Sequence, residues 1–194
     1  MVRPGHLRAV LITPLPAVLA AGLAWPAALD AQSPRDQMLL DWERHREVVA
    51  AYAAAMPEEH LDFRPTPDVR TFAEQIEHII RDNVRILAMA FGRDEMPAFG
   101  ERERYLGSRE ALVAHVHQGY DWVIEILREA TDEQLEAPVV LFNRIRVPAW
   151  RALEGAREHA TWTLGQTVPY LRLNGVEPPP YPVFDRSEEI SELR

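Results

Sequence analysis

The sequence predicts an all-α protein, a four-helix bundle with crossover connections. Three observations carry this. Four long segments place apolar residues three, four and seven apart, as a helix with one buried face requires. Capping and stop residues bound those segments where helices should begin and end. The links 92–107 and 131–147 are long enough for a chain that crosses the bundle rather than simply turning back. An apolar fraction of 47% over 194 residues supplies the core of one ordinary domain.

The first helix is expected from about Pro34 to Met56, with Leu39, Trp42, Val49, Tyr52 and Ala53 on its buried stripe. Pro57 stops it, and Pro65 and Pro67 impose an extended connection. The second helix starts at Thr71, which forms a capping box with Glu74. Its apolar face holds Ile76, Ile79, Ile80, Val84, Leu87 and Phe91, and Gly92 ends it. Residues 92–107 mix charge, Gly and Pro and read as a loop. Ser108 caps a third helix to about Ala130, buried along Leu112, Val116, Tyr120, Val123 and Leu127. Thr131 opens a short helical turn, and the β-branched run 137–147 reads as an extended segment or short hairpin. Pro148 suits the first turn of a fourth helix running to about Asn174, stopped by Gly175, with a kink expected at Pro169. The tail is proline-rich and then acidic, and reads as a packed extended arm or a mobile one.

Residues 1–31 stand apart. Arg3 and Arg8 precede an uncharged apolar run from Ala9 to Leu29, with the small Ala31 at a plausible cleavage point, which is the pattern of a cleaved export signal. Pro14, Pro16 and Pro26 disfavour a continuous membrane helix. The expectation is a domain over 32–194, periplasmic or extracellular, with no stable membrane span in the mature chain. An uncleaved N-terminal membrane anchor is the alternative.

The formal net charge of −9 excludes nucleic-acid binding through a basic surface. The absence of cysteine excludes disulfides, thiolate ligands and a cysteine nucleophile. No serine-nucleophile, phosphate-loop or nicotinamide motif occurs. Histidine is the remaining carrier of chemistry. His45 and His60 sit among charges and read as solvated surface residues. His115 and His117 point to different helix faces, so they do not chelate together, and one of them suits a hydrogen-bonded core position. His78 and His159 lie mid-helix on separate predicted helices. They meet in the bundle interior as ligands of a divalent metal, or serve as structural histidines bonded to nearby acids.

Three stretches narrow the choice: MPEEHLDFRPTPDVRTFAEQIEHI (56–79), the segment from His159 to Gln166, and TVPYLRLNGVEPP (167–179). In this order the chain resembles the DinB/YfiT-like superfamily of four-helix-bundle proteins. The resemblance implies a zinc or nickel site of three histidines, one on the second helix and two on the last helix, four residues apart and just before Gly-Gln. Those positions hold His78, His159 and Thr163. A threonine hydroxyl is a weak ligand where an imidazole is a good one. Glu74, one turn before His78, is the nearest acid expected to substitute, whereas Glu77 and Glu158 adjoin a histidine and point away from it.

Two functions follow. One is a metal-dependent enzyme, a hydrolase ahead of a thiol transferase because an exported protein lacks the cytoplasmic thiol pool. The other is a metal-free bundle that holds a small ligand or a protein partner, with Trp162 and Gln166 in its pocket. The resemblance implies a homodimer in either case.

Overall fold

The computed structural model of the chain describes residues 33–182. The expected export signal at 1–31 and the acidic end of the tail lie outside the described residues.

Helix α1 spans Pro34–Ala55. Ser33 caps it by accepting the Asp36 N–H at 3.1 Å, and Pro34 sits in the first turn. A short 3₁₀ turn, Glu58–His60, leads into the proline-rich connection. Helix α2 spans Phe72–Phe91. Its capping box is complete: Glu74 N–H donates to the Thr71 hydroxyl and Thr71 N–H to the Glu74 carboxylate. Gly92 ends α2 in the left-handed region at φ 60°. Helix α3 covers Arg102–Gly107, α4 Arg109–Glu129 and α5 Asp132–Glu136. Ser108 caps α4 and Thr131 caps α5. Strands β1 (Pro138–Leu141) and β2 (Ile145–Pro148) form an antiparallel hairpin with Leu141 opposite Ile145. Helix α6 spans Ala149–Leu173 and runs through Pro169 without ending.

The four long helices, α1, α2, α4 and α6, build one core. Helix α2 packs against both α4 and α6, and α1 lies along α4 and touches α6. Trp42, Phe72, Ile76, Ile80, Tyr120 and Leu127 are fully buried between them. The hairpin is a side layer whose Val139, Leu141 and Val147 pack on Ala90 of α2 and Ala152 of α6.

The structure departs from expectation in the 92–107 link, which contains α3. The cause is tertiary. Arg102 makes two bonds to the buried Glu77 carboxylate, at 2.7 and 2.6 Å, and the Tyr105 hydroxyl adds a third at 3.0 Å. No local sequence pattern announces a helix that is held from outside by a charge pair. Glu77 does turn away from its neighbour His78, as its place on the helix requires.

Among the described residues, no helix is long and apolar enough to cross a membrane.

Candidate metal centre

Side by side, α2 and α6 bring His78 and His159 together, with ring centroids 5.1 Å apart and rings edge to face. Asp82 completes the group. It stands four residues after His78 on α2, so both side chains leave the same face. Its Oδ2 lies 3.5 Å from His78 Nδ1 and 3.8 Å from His159 Nε2. One donor atom from each of the three residues falls within 4.8 Å of the others. Two ligands at 2.0–2.1 Å from a tetrahedral ion are about 3.3 Å apart, so modest inward rotation of these side chains would close the set.

The surroundings suit that chemistry. His159 Nδ1 is buried with no hydrogen-bond partner among the described residues. Its other nitrogen, Nε2, is the one that approaches Asp82. Burial, first of all, lowers the pKa of His78 below its ordinary value. The Asp82 carboxylate opposes this, while Arg70, His159 and Arg81 reinforce it. The net effect keeps His78 neutral at pH 7, the state in which imidazole binds a metal. Two nitrogens and one carboxylate oxygen form a donor set known for catalytic zinc.

The other sequence-predicted residues fall as follows. Glu74 does not join the histidines. Its carboxylate bonds the Thr71 N–H at 2.9 Å and lies 3.8 Å from Arg64 and 3.6 Å from Arg102. The capping box that was read from the sequence is what keeps it at the helix end. The acid next to the histidines is one turn after His78 rather than one turn before it. The signal was present as His78-x-x-x-Asp82, the same four-residue spacing sought on α6. Thr163 is buried in α6, one turn beyond His159. Gln166 accepts from Gln75 Nε2 at 3.3 Å and does not line the groove beside His159, whereas Trp162 does.

Two other histidines differ from their expected roles. His45 is buried rather than solvated: the Tyr120 hydroxyl lies 2.6 Å from its Nδ1 and the Thr161 hydroxyl 3.1 Å from its Nε2. Thr161 donates its own proton to the Arg157 carbonyl at 2.9 Å, so His45 Nε2 is the donor and Nδ1 the acceptor. Burial pushes the His45 pKa down to about 3. The charges flanking His45 in sequence are drawn into ion pairs, Arg44 with Asp41 and Arg46 with Asp121, which leaves the imidazole free to turn inward. His115 is the core histidine of the 115/117 pair, but stacking rather than hydrogen bonding holds it. Its ring lies 4.1 Å from Tyr105 and 4.3 Å from Phe99, and neither nitrogen has a partner among the described residues.

A bundle with this seam between its second and last long helices defines a class, and comparison places the chain in it. Residues 41–167 match the family model of the DinB superfamily, and the chain belongs to that superfamily. Its fold is similar to that of a DinB-like protein from Bacillus subtilis, with a TM-score of 0.61, 21% identity, and coverage of 75% of this chain and 96% of that one. A DinB-like protein from Bacillus cereus is similar with a TM-score of 0.62, 20% identity, and coverage of 75% and 95%. No curated protein matches the chain.

Proposed function

We propose that this DinB-like domain binds one divalent metal ion, zinc or nickel, through His78, Asp82 and His159, and acts as a metal-dependent hydrolase. The convergence of one donor from each of these residues within 4.8 Å carries the reading. A bound ion would supply Lewis acidity and an activated water at neutral pH. The chain's residues do the rest. His78 stays neutral through burial, Asp82 offsets the ion's charge, and His159 borders the groove through which a substrate would approach. Metal analysis of untagged protein tests this. One equivalent of zinc or nickel is expected, reduced at least about tenfold in affinity by His78→Ala, Asp82→Ala or His159→Ala, the scale of one good contact. Unchanged binding in the Asp82 variant would remove Asp82 from the site.

Thr163 supports a second reading, a metal-free bundle that holds a small ligand or protein partner, because it offers no third imidazole on α6. Failure of the untagged protein to bind either metal would favour it. Export through residues 1–31 and homodimer formation complete the proposal. Sequencing the mature N-terminus and sedimentation of the mature protein check both.

A further inference from the structure

We propose that the groove beside His159 receives the flat end of a substrate, an aromatic ring bearing no negative charge, stacked on the indole of Trp162. This deepens the metal-site reading and rests on it for where the reacting end would lie.

The groove encloses about 800 Å³, ample for a small organic molecule. His159 and Trp162 are three residues apart on α6, so both project toward the same side. Trp162 is 73% exposed, while Trp42 in the core is fully covered. An indole presented to water beside metal-ligand candidates offers a broad apolar surface with nothing packed over it. Between them and the start of the helix, Gly155 keeps the floor low. A Cβ there would meet only the end of the Arg151 side chain, at 3.9 Å.

Tyr181, on the C-terminal arm, lines the groove as well. It is not a loose side chain. Its hydroxyl lies 3.3 Å from the Thr161 hydroxyl, which in turn accepts from buried His45. The arm therefore contributes a fixed aromatic wall rather than a passing contact.

Charge decides what kind of ring fits. Arg157 is the cation lining the groove, and it is held by Glu154 at 2.7 Å with Asp41 at 4.0 Å. Glu158 brings a second carboxylate, 75% exposed, with Arg151 at 3.4 Å. A carboxylate or phosphate on the ligand would face two acids and an arginine already matched. A neutral ring pays no such penalty, and a cationic one gains from both the carboxylates and the indole face.

The test uses benzyl alcohol, benzylamine, benzoate and cyclohexylmethanol as probes of the full mature chain. Binding is followed by the indole N–H resonance of Trp162, assigned with Trp162→Phe. Benzyl alcohol and benzylamine should shift that resonance and bind at least about threefold more tightly than benzoate or cyclohexylmethanol, the scale of one stacking or cation–π contact. Trp162→Ala should weaken them by a similar factor, with circular dichroism confirming the fold. Benzoate binding as tightly as benzylamine, or an unmoved Trp162 resonance, would overturn the proposal. Zinc titration read at the His78 and His159 imidazole resonances separates the two readings. Histidine shifts without ring binding defeat only the groove, and ring binding by the unaltered chain whose histidine resonances do not move with zinc defeats only the metal.

Discussion

At the scale of single residues, Asp82 and Thr163 define the candidate centre between them. Thr163 stands where the family resemblance places a third histidine, and Asp82 offers a carboxylate from the opposite helix. If the seam is a metal site, Thr163→His adds an imidazole one turn from His159 and should raise zinc affinity at least about tenfold. Isothermal titration in chelator-treated protein measures it, and unchanged affinity would mean that position 163 does not face the ion. His78 and His159 were legible as a pair through the family resemblance, because their mid-helix positions alone left structural histidines equally open. Asp82 was not. An acid four residues from a histidine is also what an ordinary exposed helix face presents, and only the approach of α6 gives it a second imidazole.

At the scale of elements, local signals were strong at helix ends and weak where a neighbour decides. Thr71, Ser108 and Thr131 cap the helices expected of them, and Ser33 caps α1 in the same way. These motifs act within four residues, so sequence contains their whole cause. Helix α3 escaped detection because Glu77, far away in sequence, holds it. Gly119 gives the same lesson for packing. A Cβ there would lie 2.3 Å from the Ile80 Cγ2 atom, so α2 and α4 approach at a spacing only glycine allows. Gly119→Ala gains about 1 kcal/mol in helix propensity but forces the helices apart at a cost of about 1–3 kcal/mol. The expected outcome is net destabilisation, seen as a lower urea midpoint. A higher midpoint would show that the Ile80 side chain simply rotates away.

For the whole molecule, buried neutral histidines tie stability to pH. Burial lowers His45 to about 3 and His115 to about 4, although Glu77 partly opposes the latter shift. In the unfolded chain both would take a proton near 6.5. The folded state therefore binds fewer protons than the unfolded state below pH 6.5. Stability from these groups is complete above that pH and is lost as pH falls toward 4, by up to about 1.4 kcal/mol per unit for each. Urea midpoints of the metal-free protein should drop steeply between pH 6.5 and 4.5. His115→Phe should flatten that slope and leave the protein at least as stable at pH 7, since phenyl fills the stack between Phe99 and Tyr105 without stranding two nitrogens. An unaltered slope would assign the acid sensitivity elsewhere.

The class of fold, the long helices and their caps followed from the chain alone, because hydrophobic period and capping are short-range properties. The pairing of His78 with His159 was implied by the family resemblance, and the approach of α2 to α6 brings their rings together. Tertiary packing alone decided which acid stands beside them, which histidines are sealed in the core, and how Trp162 and the arm-borne Tyr181 flank one groove. Each of these depends on two segments far apart in sequence meeting at a few ångströms, and only the folded chain sets that distance.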